Sequence, residues 1–289
     1  MNESDKKTRA LSAKALLAAF DLKPKKSKGQ NFLADPATAL ACVNRADLSP
    51  DDVVLEIGPG LGALTIPMSD VVKQVIAVEW DSNLVRVLTH QVESMDIKNV
   101  EILNQDILKT DIREIAVRAG SNLVVMANLP YNISSQVLIR LIQSRELFKK
   151  AALMFQTELA QRIMAEPGNK DYGRITVLAQ YTSQIRVLYS LGPAHFHPKP
   201  KVDSQVLEFR FKKPDPAVDE DILFAVVKAA FSKRRKTLKN ALSNGELPLT
   251  GELAQTALGQ AGIDPMRRAE TLSVDEFVVL SQAVASVMP

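Results

Sequence analysis

The sequence predicts an α/β fold, a parallel sheet with helices on both faces, followed by a small all-helical domain. Three observations predict it. Short apolar runs alternate with amphipathic stretches of helical length through the middle of the chain. A glycine-rich turn follows the first of those runs. Beyond residue 211 the strand-like runs stop and only helical patterns continue.

The runs Val53–Ile57, Val75–Glu79, Val100–Leu103, Leu123–Ala127 and Ala151–Phe155 are short, apolar and rich in β-branched residues, so they read as buried strands. Between them, Ser82–Glu93, Ser134–Ser144 and Glu158–Ala165 carry helical periodicity, with Asp81 and Ser134 placed to cap two of them. Ile185–Ser190 and Ser204–Phe211 read as two further strands joined by a proline-rich loop, an antiparallel hairpin at the sheet edge. Lys212-Lys213-Pro214-Asp215-Pro216 has linker composition. Helices are predicted at Asp219–Phe231, Lys233–Ser243, Glu252–Ala261 and Val274–Val287. The domains are therefore placed at 1–211 and 212–289.

Of the 289 residues, 46% are hydrophobic and 24% charged, which suits a globular chain with a sizeable core. The formal net charge is only +3, but it is unevenly spread. Residues 1–29 hold eight Lys/Arg against three acids, and 228–240 hold Lys228, Lys233, Arg234, Arg235, Lys236 and Lys239 with no acid. Two basic clusters on a nearly neutral chain suit a polyanionic partner, although solvated basic faces have the same composition. A single cysteine, Cys42, permits no internal disulfide. His195 and His197 lie among prolines without nearby acids, so no metal site is expected. No apolar run approaches the ~18 residues of a membrane span. Glu3, Asp5 and Lys14 around a short apolar patch do not make a secretory signal, so a cytoplasmic location is expected.

Glu56-Ile57-Gly58-Pro59-Gly60-Leu61-Gly62 follows the first strand and opens a helix. Such a loop lets the backbone turn sharply and approach a ligand, as in a nucleotide-cofactor cradle; alone, it is also an ordinary strand–helix turn. Glu79 ends the second strand, where a carboxylate can accept from both hydroxyls of a ribose, and Asp106 follows the third, where it can accept from an adenine amino group. The G-x-G-x-G spacing differs from the G-x-G-x-x-G that suits a pyrophosphate, and tilts the choice toward S-adenosylmethionine.

Asn128-Leu129-Pro130-Tyr131 follows the fourth strand, at the sheet edge where ligands bind. An exocyclic adenine amine is a poor nucleophile because its lone pair is delocalised into the ring. The Asn128 side-chain oxygen and the Leu129 carbonyl, held rigid by Pro130, can accept both N6 hydrogens and aim the lone pair at a methyl donor. Tyr131 can stack on the base. This pattern settles the cofactor as S-adenosylmethionine. The loop Phe196-His197-Pro198-Lys199-Pro200-Lys201-Val202-Asp203-Ser204 adds an aromatic on a stiff basic segment, with Phe196 a second stacking partner for a flipped base and Lys199 and Lys201 phosphate contacts. A core phenylalanine on a proline-pinned hairpin is the alternative.

These motifs resemble the ribosomal-RNA adenine N6-dimethyltransferases. The resemblance rests on Gly29-Gln30-Asn31-Phe32-Leu33, the glycine loop at 56–62, Asn128–Ser134, Phe196–Ser204, Phe231–Asn240 and Arg268–Val274, and covers nearly the whole chain. It implies a Rossmann-like S-adenosylmethionine-dependent methyltransferase fold with a small C-terminal all-helical domain. The implied substrate is a pair of adjacent adenines near the 3′ end of 16S rRNA in the immature 30S subunit, with a role in subunit biogenesis and a monomeric enzyme. Position by position it places cofactor contacts at Gln30, Asn31, Leu33, Gly58, Gly60, Glu79, Asp106 and Asn128; those in 29–33 rest on the resemblance only. RNA contacts fall on Lys199, Lys201, Lys233, Arg234, Arg235, Lys236 and Lys239. The erythromycin-resistance methyltransferases share the Asn-x-Pro-Tyr motif, but the basic helix and the Arg268–Val274 segment look like the small-subunit group. The rivals are a nicotinamide-dependent reductase, which needs a pyrophosphate loop this chain lacks, and a non-enzymatic RNA-binding assembly factor.

Overall fold

In the computed structural model, residues 12–25, 29–233, 235–243 and 247–288 are described. Among them the chain falls into two compact units. One is built from the chain up to Ala160 together with Ile185–Phe211, and the other from Gln161–Gln184 and Lys212 onward.

The first unit is organised by a seven-stranded sheet. Its strands are β2 (Val53–Ile57), β3 (Gln74–Glu79), β4 (Val100–Asn104), β5 (Leu123–Asn128), β6 (Phe148–Gln156), β7 (Ser183–Leu191) and β9 (Ser204–Phe211), in the order β4-β3-β2-β5-β6-β9-β7. A separate two-stranded ribbon pairs β1 (Phe32–Leu33) antiparallel with β8 (Phe196–His197). Strands β2 to β6 run parallel; β2, β3, β5 and most of β6 are buried, which explains why they read as apolar runs, while β4 at the sheet edge is only half-buried. The predicted hairpin forms: β7 and β9 are neighbours at the sheet edge, with β7 outermost and β9 joining the hairpin to the parallel strands by pairing antiparallel with β6.

The helices of this unit are α1 (Ala13–Ala19), α2 (Pro36–Arg45), α3 (Thr65–Ser69), α4 (Ser82–Ser94), α5 (Ile112–Ala119) and α6 (Ser134–Gln143); α7 (Thr157–Ile163) leaves it. Asp81 caps α4 by accepting from the Asn83 N–H. Ser134 is not a cap. Ile133 occupies that position, and Ser134 is the first helical residue, its hydroxyl donating to the Tyr131 carbonyl at 3.1 Å.

The sheet order reverses at β2. From β2 the chain winds outward through β3 and β4, then returns to lay β5 and β6 on the other side. A ligand crevice is expected beyond the carboxyl ends of β2 and β5, where the two halves part.

The second unit is helical: α8 (Arg174–Thr182), α9 (Glu220–Ala230), α10 (Leu238–Leu242), α11 (Gly251–Gln260) and α12 (Val274–Val287). Its core includes Leu223, Val227, Leu238, Leu258, Phe277 and Leu280, and Phe231 packs against Phe277 with ring centroids 5.7 Å apart. Ser273 and Glu276 form a reciprocal capping box at the start of α12. Residues 161–184, which the sequence division assigns to the first domain, pack with this unit. The helix expected over Lys233–Ser243 is short. Phe231 ends α9, Ser232, Lys233, Arg235 and Lys236 lie in turns, and regular helix begins only at Leu238.

Candidate active site

A pocket opens at the predicted switch point. Its walls come from the carboxyl ends of β2, β3, β4 and β5 and from the segment 29–33. Its charged lining residues are Glu56, Glu79 and Asp106, and among the described residues no Lys, Arg or His joins them.

The glycine loop is shaped for close approach. Gly60 takes φ +57° and its N–H donates to Glu79 Oε2 at 3.2 Å. A Cβ there would stand 3.0 Å from the Phe32 ring, so a side chain at residue 60 would crowd the 29–33 segment as well as strain the left-handed backbone. Glu79 also accepts from the Asp81 N–H at 2.9 Å through Oε1. It is buried, and burial raises its pKa while those two backbone donors pull it back. Each oxygen keeps a lone pair for a further donor. Asp106 accepts from the Leu108 N–H through Oδ1 at 2.9 Å, which sets its carboxylate on the rim beyond β4.

Glu56, the first residue of the glycine-loop motif, has no role expected from sequence. Burial, reinforced by Glu79, pushes its carboxyl up to about 8, against which the Thr65 hydroxyl donates at 2.6 Å. The signal was available: an acid inside the fully buried strand Val53–Ile57 needs a partner or a function.

Asn128 ends β5 and donates through Nδ2 to the Asn31 carbonyl at 3.0 Å. A carbonyl can only accept, so this bond fixes the amide and leaves Oδ1 as the acceptor. Asn31 thus acts here through its backbone; its own side chain bonds the Gly29 carbonyl. Gln30 is engaged by the Lys25 N–H and by Asp81, and Leu33 is buried in the core while lining the pocket. The turn after Asn128 is closed by an Ile133 N–H to Pro130 carbonyl bond of 3.1 Å, and Leu129, Pro130 and Tyr131 all line the pocket. Gly58, Gly60, Glu79, Asp106, Asn128 and the 29–33 segment are thus brought together around one cavity.

Phe196 is placed otherwise than the sequence reading expects. Its ring is 2% exposed, does not line the pocket, and packs in the core with Leu33, Leu191 and Val206. The pairing of Phe196 with Leu33 across β1 and β8 turns it inward, so in this conformation it has no face for a base. Lys199 and Lys201 of the same loop are exposed. In the second unit Lys233, Arg235 and Lys236 are exposed, Lys239 is half-buried on α10, and Arg234 lies outside the described residues.

The site's neighbours in sequence and structure point one way. A family model described as ribosomal RNA adenine dimethylase matches residues 21–286. A ribosomal RNA small subunit methyltransferase A of Desulforapulum autotrophicum is 48% identical over 94% of this chain and 95% of its own. The protein of the same name from Geobacter metallireducens is 44% identical over 91% and 96%. Among solved structures, a dimethyladenosine transferase from Plasmodium falciparum superposes with a TM-score of 0.73 at 26% identity, covering 86% of this chain and 95% of that one. The 23S rRNA methyltransferase ErmE shares the fold, with a TM-score of 0.62 at 23% identity over 88% and 100%.

Proposed function

We infer the reaction from one premise: the chain belongs to the ribosomal RNA adenine dimethylase family. It is an rRNA adenine methyltransferase, and its substrate is two adjacent adenines near the 3′ end of 16S rRNA, each dimethylated at N6 within the small subunit. The observation that carries this reading is the Asn128 amide, pinned by the Asn31 carbonyl so that its oxygen accepts beside an acid-lined pocket.

The donor set fits S-adenosylmethionine. A pocket whose charged residues are all acids suits a cofactor with a cationic sulfonium and disfavours a pyrophosphate, which weighs against a nicotinamide reductase. Glu79 is placed for the ribose hydroxyls and Asp106 for the adenine amine; Gly58, Gly60, Gln30, Asn31 and Leu33 form the surrounding wall. Bound there, S-adenosylmethionine supplies an electrophilic methyl group.

The chain's own residues do the rest by positioning. Asn128 Oδ1 and the Leu129 carbonyl accept the two N6 hydrogens, which draws the nitrogen toward tetrahedral geometry and frees its lone pair. Pro130 holds this turn rigid, and Tyr131 stacks on the base. The N6 proton becomes acidic only after transfer, so the site needs no strong base; preorganised acceptors supply the catalysis. Lys199, Lys201, Lys233, Arg234, Arg235, Lys236 and Lys239 contact RNA phosphates, and the helical unit orients the subunit. The enzyme acts as a cytoplasmic monomer on the immature 30S particle, where it contributes to biogenesis. No helix among the described residues is long and apolar enough to cross a membrane.

The test is methyl transfer from labelled S-adenosylmethionine to undermethylated 30S and 50S subunits, with modified bases mapped. Dimethyladenosine at adjacent positions in 30S rRNA is expected. Labelling confined to 50S, or none, overturns the reading.

A further inference from the structure

The Phe196–Ser204 segment ends on a residue that the reading above leaves unused. Ser204 opens β9, is fully buried, and pairs with Gln156 of β6. One residue earlier, the Asp203 carbonyl accepts from the Thr157 N–H at 3.0 Å, so the strand start is braced. From this fixed point the Ser204 hydroxyl meets the Tyr131 hydroxyl at 3.1 Å.

Tyr131 is held at its other end as well. Its carbonyl accepts from Ser134, and its φ follows a proline whose own φ is locked. Gly29 lies so close that a Cβ there would stand 3.3 Å from the Tyr131 nitrogen. The phenol has no part in the methyl transfer derived above, so its hydroxyl is free to serve as an anchor. A ring ordered in advance loses less entropy when a base docks on it than one ordered at each encounter.

We propose that Ser204 is a positioning residue: by its hydrogen bond to the Tyr131 hydroxyl it fixes the ring plane on which the target adenine stacks. The proposal rests on the stacking role of Tyr131 given above. It also moves the contribution of this loop to base placement from its aromatic, Phe196, to its last residue.

The test compares Ser204→Ala, Tyr131→Phe, their combination and Tyr131→Ala. Each is measured for transfer to 30S subunits, cofactor affinity and melting temperature. Ser204→Ala and Tyr131→Phe should each lower kcat by roughly 5- to 10-fold, the scale of one neutral hydrogen bond, with cofactor affinity unchanged. The double variant should be no slower than either single one, because both remove the same bond. A normal kcat for Ser204→Ala alongside a crippled Tyr131→Ala overturns the role of Ser204 alone, as do additive losses in the double variant. Unimpaired transfer by Tyr131→Ala removes the stacking role itself, and that of Ser204 with it. If Ser204→Ala does not fold, Tyr131→Phe alone carries the test, and a normal kcat for it is decisive against the proposal.

Discussion

The side-chain amide of Asn128 donates to the backbone carbonyl of Asn31, 97 residues earlier, at 3.0 Å. That bond decides which end of the amide faces the pocket. Asn128→Ala should therefore lower single-turnover methyl transfer at saturating cofactor and subunit by ~100-fold, the cost of one lost positioning contact. Subunit binding should stay near normal, since it depends on distant phosphates. Asn128→Asp retains an acceptor but sets a carboxylate against the Asn31 carbonyl, and should be no better than Asn128→Ala. A normal single-turnover rate for Asn128→Ala sinks the mechanism.

Glu79→Ala should weaken cofactor binding by about 1.5–3 kcal/mol, the worth of hydrogen bonds to a charged group. The molecule carries its own probe. Its single tryptophan, Trp80, lines the pocket and is 53% exposed, so its fluorescence should change on titration with S-adenosylmethionine. Unchanged affinity in a folded Glu79→Ala variant removes the assignment.

Stability should carry the imprint of Glu56. Its carboxyl ordinarily titrates near 4.5 and is pushed up to about 8 in the fold. Between those values the folded chain holds a proton that the unfolded chain has released, so stability declines as pH rises through this window. Burial of Glu79 acts in the same direction. Asp52 and Glu208, held low by Lys149 and by Arg186 and Arg210 in spite of burial, act in the opposite sense under acid conditions. Thermal melts of Glu56→Gln from pH 5 to 9 should show a flatter decline than the parent. Parallel curves would show that Glu56 is ionised throughout.

Neutralising Arg235 and Lys236, both exposed, should lower affinity for 30S subunits and flatten its dependence on salt by roughly one unit of slope per lost phosphate contact. Cofactor binding should survive. An unchanged slope means that these two residues do not touch the RNA backbone.

The sheet was legible because parallel strands buried on both faces leave apolar runs, as in Leu123–Ala127 and Ala151–Phe155. What the sequence did not disclose is pairing at long range. Nothing local in Phe32-Leu33 announces a strand, and its partner lies more than 160 residues away at Phe196-His197. That pairing turned Phe196 from an expected surface aromatic into a core residue. The hairpin of β7 and β9 was legible from its short connection, but not which of its strands would pair with β6, since that too is a long-range choice. The basic run after Phe231 has good helix formers, yet Ser232, Lys233, Arg235 and Lys236 lie in turns, because propensity is a weak prior where α9 must give way to α10. Asn31 was recognisable through resemblance alone, since its structural contact is a carbonyl, which every residue possesses.

The acids that line the pocket bear on turnover as well as on recognition. Dimethylation of one nitrogen consumes two cofactors, so spent sulfur compound must leave and fresh compound enter between the two additions. Transfer of the methyl group converts a sulfonium into a neutral thioether. With Glu79 and Asp106 assigned to the cofactor, an acidic wall that suits a charged donor would hold its uncharged remnant less firmly. On that assignment the charge pattern of the wall would bias exchange toward reloading between the two additions.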